Sequence, residues 1–291
     1  IHSRYPPDHN GAAAIFHASA VRLMAESKLE IEVWKFIRGG SAENYRLDGL
    51  TVVTIPYKTP NLPALRLFFM LEIAVLFLRK TMSGDRESAV QSFHGISLSW
   101  SNLVCLAVAK LLRYRTTCES TLLGDAFSQS ANVSVKTLIG LQIKKWFLHR
   151  IDAIRVYSPA LREELKNIGY LNTVEIPPAV DLKKFYPVDV KTKLAIRDRY
   201  GIGHKDIVIL FCGVMGKRKG LDLLIEAVCS LLGTYQHLVL YAVGPLDPLF
   251  SLPVPLSKNM RIYPRAENNV EDLMKMADVF AMPSRNEGYG A

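Results

Sequence analysis

Short apolar runs and longer amphipathic segments alternate along the whole chain. The runs are continuous and rich in Val and Ile, which is typical of parallel strands covered on both faces. In the longer segments apolar residues recur at helical spacing. The predicted strands are 31–37, 50–56, 89–93, 114–120, 152–158, 173–177, 207–213, 238–244 and 279–284. The predicted helices are 13–27, 62–82, 99–112, 136–150, 159–168, 220–233 and 270–277. This alternation predicts an α/β fold with parallel sheets.

A polar, charged segment divides the series of strands and helices. It reads PVDVKTKLAIRDRYGIGHKD and separates the strand that ends at residue 177 from the next one, which begins at Ile207. The chain has 291 residues, enough for two domains of ordinary size. We therefore predict two Rossmann-like domains, residues 1–187 and 188–291, with a ligand cleft between them.

One segment is apolar enough to be compared with a membrane span. LPALRLFFMLEIAVLFLRK covers residues 62–80, but Arg66 and Glu72 interrupt it, and charges at such depths are costly in hydrocarbon. The favoured interpretation is a helix packed over a sheet. The alternative is a helix that lies on a membrane interface, with Arg79 and Lys80 at its end.

Charge and cysteine usage narrow the class of protein. The net charge of +9 suits an anionic ligand or a membrane surface. No recognition-helix, zinc-finger or aromatic-basic sheet motif accompanies it, so nucleic acid is not an expected partner. The four cysteines lack metal or disulfide spacing, which predicts reduced core residues of a cytosolic protein. No signal peptide is found and the chain begins without Met, so we expect the true N-terminus to be missing.

A basic turn is the strongest candidate for chemistry. In GVMGKRKGLDLLIEAV (213–228), Lys217, Arg218 and Lys219 precede a segment whose apolar residues recur at helical spacing from Leu221 on. Free N–H groups and the positive end of the helix dipole would face such a turn. The added cations suit a diphosphate. The alternative is that they are solvated loop residues.

Three ordered segments resemble one enzyme family. They are VEIPPAVDLKKFYP (174–187), CGVMGKRKGLDLLIEA (212–227) and ADVFAMPSRNEGYG (277–290). They resemble motifs of the retaining, nucleotide-sugar-dependent glycosyltransferases of family 4, the glycosyl transferases group 1, which have the GT-B fold. YSPALREELKNIG (157–169) and YPPDHNGAA (5–13) also resemble segments of this family. The resemblance implies two facing Rossmann-like domains, with the chain truncated at both ends and the C-terminal domain incomplete.

The resemblance assigns the donor phosphates to the basic turn. Lys219 would contact them, assisted by Arg218 and Lys217. The family usually carries an arginine directly after the first glycine, Gly213, where this chain has Val214. We therefore expect Arg218 or Lys217 to supply that charge.

The same resemblance assigns the donor sugar to the last motif. Glu287 matches the first glutamate of the family's E-x7-E pattern and would contact the sugar. Gly288, Tyr289 and Gly290 would form the backbone turn near the sugar and the phosphate. The second glutamate of the pattern would fall beyond residue 291.

On the N-terminal side, Asn10 and Gly11 match the loop that approaches the donor phosphate. His94 matches a strand-end histidine of the family. Glu119 stands where the family often carries a further histidine, so Glu119 or Asp125 is expected to orient an acceptor hydroxyl.

The resemblance implies a hexosyltransferase that moves a sugar from a UDP- or GDP-sugar to a polysaccharide, glycolipid or other cell-envelope acceptor. It implies no cofactor and no metal, because cations and helix N–H groups would stabilise the leaving phosphate. The expected location is the cytoplasm. A second expectation is peripheral contact with the inner face of the membrane through residues 62–80. The alternatives are a sugar 2-epimerase and a non-catalytic nucleotide-sugar or anion-binding module of the same fold.

Overall fold

The computed structural model describes residues 12–27, 29–83, 92–121, 135–252, 257–264 and 269–289. Its internal contacts divide the chain into two compact units, Ile1–Pro177 and Pro178–Ala291. This division falls before the polar segment that marks the predicted domain boundary at residue 187. The domain limits themselves stay a prediction.

The first unit contains two sheets with helices between their strands. Its elements are α1 (Ala12–Glu26), β1 (Glu32–Arg38), β2 (Asn44–Leu47), β3 (Leu50–Tyr57), α2 (Arg66–Ser83), β4 (Ser92–Gly95), α3 (Trp100–Leu111), β5 (Arg115–Ser120), α4 (Val135–Leu148), β6 (Ala153–Val156), α5 (Pro159–Asn167) and β7 (Thr173–Glu175). One sheet has the order β1-β3-β2 and the other the order β4-β5-β6-β7. The second sheet is parallel throughout, and β2 pairs antiparallel with β3.

The helix α2 packs over the first unit's core. It buries Phe69, Ile73 and Phe77, which repeat every fourth residue and so form one stripe. The ring of Phe77 lies 5.2 Å from that of Trp34 and 4.9 Å from that of Phe93, centroid to centroid. The favoured interpretation of this segment is therefore confirmed. Of the helices in the described ranges, none combines the length and apolar character that crossing a bilayer requires.

The second unit is one parallel sheet of order β10-β9-β8-β11. Its elements are α6 (Val190–Arg199), β8 (Ile207–Cys212), α7 (Leu221–Leu231), β9 (Leu238–Val243), β10 (Met260–Tyr263), α8 (Val270–Met276) and β11 (Val279–Phe280). All of β9 is buried. Leu238, Leu240 and Ala242 pack in one cluster with α7, and Val239, Tyr241 and Val243 in another with α6 and α8. Both faces are covered, which explains why this strand is continuously apolar.

Three elements were not predicted: β2, β10 and α6. The helix α6 lies inside the polar segment that was interpreted only as a boundary. Asp189 caps it, because its Oδ1 accepts a hydrogen bond of 2.7 Å from the main-chain N–H of Thr192. Arg197 is buried and donates to Met276 O at 3.0 Å and to the Asp278 carboxylate at 2.5 Å. Polar contacts therefore fix this helix together with the single apolar anchor Ile196, and apolar periodicity does not reveal it.

Candidate functional site

Close main-chain packing fixes the base of the basic turn. Gly244 has φ +146°, and a Cβ there would lie 1.9 Å from the carbonyl oxygen of Gly213. Beyond these glycines, Met215 N donates to Pro245 O at 2.8 Å, and Asp247 N donates to Met215 O at 2.9 Å. The segment after β8 therefore runs along the segment after β9 before it turns into α7.

A second glycine brings the turn against the last motif. Gly220 precedes α7 with φ +74°, and a Cβ there would lie 2.0 Å from the carbonyl oxygen of Pro283. The N–H of Gly220 donates to Lys217 O at 3.2 Å, which closes the turn. The first N–H groups of an α-helix have no partner within the helix, and here they lie at the same end of α7 as the three cations.

The structure brings Lys219, Arg218 and Glu287 together. Lys219 Nζ forms an ion pair with Glu287 Oε1. The same oxygen lies 3.0 Å from Arg218 Nη1 and accepts a hydrogen bond of 3.2 Å from Ser284 Oγ. Arg218 Nη1 also donates to Asn286 O at 3.1 Å. One carboxylate oxygen of Glu287 thus contacts two cations and a hydroxyl group. The Lys219 side chain is only 12% exposed.

The other site residues that were predicted in the second unit lie close in sequence to Lys219 and Glu287. Lys217 is exposed, Gly288 is buried and Tyr289 is 52% exposed. Gly213 directly follows β8, and its N–H donates to Val243 O at 3.0 Å. Gly290 lies outside the described residues, as do Asn10, Gly11 and Asp125.

Arg285 is part of this cluster and was missed by sequence reasoning. Its guanidinium forms a bidentate pair with Asp222, at 2.8 and 3.0 Å, and donates to Lys217 O at 2.6 Å. The hydrogen bond from Arg285 lowers the pKa of Asp222. An arginine in the last motif and an aspartate in the first turn of a helix carry no joint signal in the sequence.

In the first unit, His94 and Glu119 lie on neighbouring parallel strands, β4 and β5. The Glu119 side chain is 3% exposed, and its Oε1 lies 3.0 Å from Arg155 Nη1 and 3.4 Å from His94 Nε2. Tyr157 donates its hydroxyl proton to the other oxygen, Oε2. His94 Nδ1 lies 2.8 Å from Thr117 Oγ1. The structure therefore unites the two predicted residues, with partners that the sequence did not indicate.

The electrostatics of this cluster favour an ionised Glu119. Burial by itself would raise the pKa of Glu119, but hydrogen bonds from His94 and Tyr157, with the charges of His94 and Arg155, hold it below its usual range. Burial and the adjacent carboxylate raise the pKa of Tyr157. Both oxygens of Glu119 are occupied, so the carboxylate orients the 44% exposed ring of His94. Contact between Glu119 and an acceptor stays a prediction.

Solved structures with the same architecture identify the fold class. An Anabaena protein, HepE, in complex with UDP, superposes with a TM-score of 0.68 at 13% identity, over 97% of this chain and 72% of that one. WaaG, a glycosyltransferase involved in lipopolysaccharide biosynthesis, superposes with a TM-score of 0.64 at 15% identity, over 98% and 75%. The predicted GT-B fold is confirmed.

Sequence comparison gives the family. Residues 192–291 match the family model of the glycosyl transferases group 1. This part of the chain carries the basic turn and Glu287. The predicted resemblance to the glycosyl transferases group 1 is thereby confirmed over these residues.

Curated relatives match part of the chain. A GDP-mannose-dependent phosphatidylinositol monomannoside mannosyltransferase of Mycolicibacterium smegmatis is 33% identical over 121 residues. A GDP-mannose-dependent monoacylated phosphatidylinositol monomannoside mannosyltransferase of Corynebacterium glutamicum is 31% identical over 119 residues. Each match spans 40% of this chain and 31% of the relative's length.

Proposed function

We propose that this protein is a retaining glycosyltransferase that moves a sugar from a UDP- or GDP-sugar to a polysaccharide, glycolipid or other cell-envelope acceptor. The family of the second unit and the glycosyltransferase relatives support the reaction class. The relatives are named for GDP-mannose and the HepE structure contains UDP, so both nucleotides belong in the test.

The observation that carries the proposal is the convergence of donors on Glu287 Oε1. Two cations and a hydroxyl already bind one anionic oxygen beside the N-terminus of α7. A phosphate oxygen has the same requirements. Lys219 and Arg218 would bind the donor diphosphate, and Glu287 would then turn to the sugar.

Charge stabilisation is the chemistry of this site. The bond between the anomeric carbon and the β-phosphate oxygen breaks, and negative charge collects on that oxygen. Lys219, Arg218 and the N–H groups of α7 stabilise this charge in the transition state, in the role that a metal ion has elsewhere. The acceptor oxygen attacks from the same face and its proton passes to the departing phosphate, so the anomeric configuration is retained. A product of inverted configuration would contradict this mechanism.

The first unit supplies the acceptor side of the proposal. Glu119 and Thr117 hold the His94 ring at the carboxyl ends of β4 and β5, which is where ligands bind in parallel sheets. The half-exposed His94 ring would contact the substrate, and the buried Glu119 would keep it oriented.

The proposal also includes peripheral contact with a membrane that carries the acceptor. Beside its buried stripe, α2 exposes a second apolar stripe. Its members are Leu67, Phe68, Leu71, Val75 and Met82, exposed by 66%, 62%, 56%, 45% and 70%. Arg79 is exposed on the same helix. An apolar stripe with a basic end is typical of helices that lie on anionic lipid.

Ligand-induced thermal stabilisation tests the donor site. A ligand that binds only the folded state raises the unfolding midpoint. We expect UDP or GDP, alone and as nucleotide sugars, to raise it, and Lys219→Ala to abolish the rise. Arg199→Ala is the control, because its ion pair with Asp272 at 3.1 Å lies on α6 and α8. If no nucleotide raises the midpoint at millimolar concentration, the donor site is wrong. Binding without sugar transfer would favour the non-catalytic module.

A further inference from the structure

The side chain of Arg285 connects three segments: the start of α7, the basic turn and the loop that contains Glu287. Arg285 forms its bidentate pair with Asp222, which lies in the first turn of α7. Its Nη1 also donates to the carbonyl of Lys217, at 2.6 Å. Its main-chain N–H donates to the carbonyl of Arg218, at 2.8 Å. The helix start, the basic turn and the loop that ends in Glu287 are thus connected through a single residue.

The residues that Arg285 connects are close in sequence to Lys219 and Glu287, the side chains that would contact a phosphate. Lys219 follows Arg218 directly, and only Asn286 separates Arg285 from Glu287. The Asn286 carbonyl in turn accepts a hydrogen bond of 3.1 Å from Arg218. The turn and the loop are therefore connected residue by residue, and a shift of the Arg285 side chain would displace Lys219 and Glu287 relative to each other.

We infer that Arg285, held by Asp222, is a positioning residue for the diphosphate site. It does not contact the ligand; it keeps the cations of the basic turn at the spacing that two phosphate groups require. This inference rests on the proposed function. The ordinary alternative is a surface ion pair: Arg285 and Asp222 are 44% and 31% exposed, and such pairs contribute little to folding stability.

The contacts of residue 285 require the side chain of an arginine and not only its charge. A planar guanidinium can bind both carboxylate oxygens and a carbonyl at once, whereas an ammonium group is a point charge that cannot reproduce the fork. Arg285→Lys keeps the charge and loses the bidentate contact. A role that depends on charge alone would survive this change, but a positioning role would not.

Nucleotide titration calorimetry on the full chain separates these interpretations. The probes are UDP against UMP, and GDP against GMP, because each pair differs only in the terminal phosphate. In Arg285→Lys we expect the preference for the diphosphate to fall about tenfold, since misplaced charged donors lose about 1.4 kcal/mol. Affinity for the monophosphate should change less than about twofold, and the ligand-free unfolding midpoint should stay in place. Arg199→Lys, on the unrelated pair with Asp272, is the matched control.

Each outcome bears on one statement. If the unaltered chain binds no nucleotide, the proposed function is wrong. If it binds the diphosphate and Arg285→Lys keeps the same preference over the monophosphate, the inference is overturned. Equal losses for both nucleotides would also overturn it, because they indicate a general disturbance of the fold. Should Arg285→Lys fail to fold, Asp222→Asn carries the same test, since it keeps the side-chain shape and removes the charge that holds Arg285.

Discussion

At the scale of single residues, Glu287 occupies the position of an anion. Its Oε1 neutralises Lys219 and Arg218 in a partly buried setting, with the glutamate side chain 24% exposed. A carboxylate in this position competes with any phosphate that binds the same cations. In the proposed function, a donor phosphate would have to replace the contact between Glu287 and these two cations.

Replacing this carboxylate tests the competition. Glu287→Gln removes the negative charge and keeps the side-chain shape, so we expect nucleoside diphosphates to bind about three- to tenfold more tightly. Transfer from the nucleotide sugar should fall, because the proposed sugar contact is weakened. Calorimetry and a transfer assay measure the two effects. Glu226→Gln, an exposed glutamate on α7, is the control. Unchanged or weaker diphosphate binding would contradict the competition.

Glu119 gives the second prediction at this scale, on stability. Glu119→Gln leaves the partly buried charge of Arg155 without its carboxylate, and we expect a loss of about 2–3 kcal/mol in the free energy of unfolding at pH 7. Because the pKa of Glu119 is lowered in the folded state, its contribution is present above the ordinary glutamate value of 4.5 and lost as pH falls through the folded value.

The difference between Glu119→Gln and the unaltered chain should therefore shrink on acidification below pH 4.5. Urea denaturation across pH measures it. Glu163→Gln, in an exposed pair with Lys166, should be nearly neutral. A difference that stays constant down to the acid limit would show that the ionised form of Glu119 is not what stabilises the cluster.

At the scale of elements, α2 presents two apolar stripes: one packs in the first unit's core, and the other is exposed among the described residues. The changes Phe68→Ser and Leu71→Ser together should reduce binding to phosphatidylglycerol vesicles about tenfold, because they remove much of the apolar area that would enter the lipid. Co-sedimentation measures this. Both side chains are more than half exposed, so folding stability should hardly change. Leu111→Ser, on α3 and 76% exposed, is the control. If all variants sedimented equally with the vesicles, the proposed contact between α2 and the membrane would be wrong.

Strands with long continuous apolar runs could be predicted, and a helix fixed by polar contacts could not. The strands β8 and β9 were evident because both faces of their sheet are buried, which produces continuous apolar runs. The helix α6 was missed because its fixed points are Asp189, Arg197 and Asp278, and the last of these lies far along the chain. The same reason hid the pairs Arg285–Asp222 and Arg155–Glu119. A motif could indicate Lys219 and Glu287, but not the residues that hold them.

At the scale of the whole molecule, each unit builds its own apolar core. The first unit's main cluster includes Trp34 and Phe77, and the second unit's two clusters cover the faces of β9. All three tryptophans of the chain, Trp34, Trp100 and Trp146, belong to the first unit. Tryptophan fluorescence therefore reports on one core, whereas circular dichroism reports on both.

This division predicts that the two probes separate in variants of the second unit. Asp278→Ala removes the partner of the buried Arg197, so we expect the unfolding transition of the second unit to lose about 2–3 kcal/mol. Circular dichroism should detect this loss, and the tryptophan transition should stay in place. Asp198→Ala, an exposed partner of His204, should change neither. If both probes move together in Asp278→Ala, the two cores unfold as one.

The glycines at 220 and 244 have a consequence for protein engineering. In each case an added Cβ would meet a main-chain oxygen, at 2.0 or 1.9 Å, and a main-chain oxygen cannot rotate away as a side chain can. Grafting the Lys-Arg-Lys sequence onto another scaffold would therefore transfer the charges without their spacing. A transplant that works would carry both strand ends and the Pro283 segment as one block, and a library randomised at these two positions should return glycine at both.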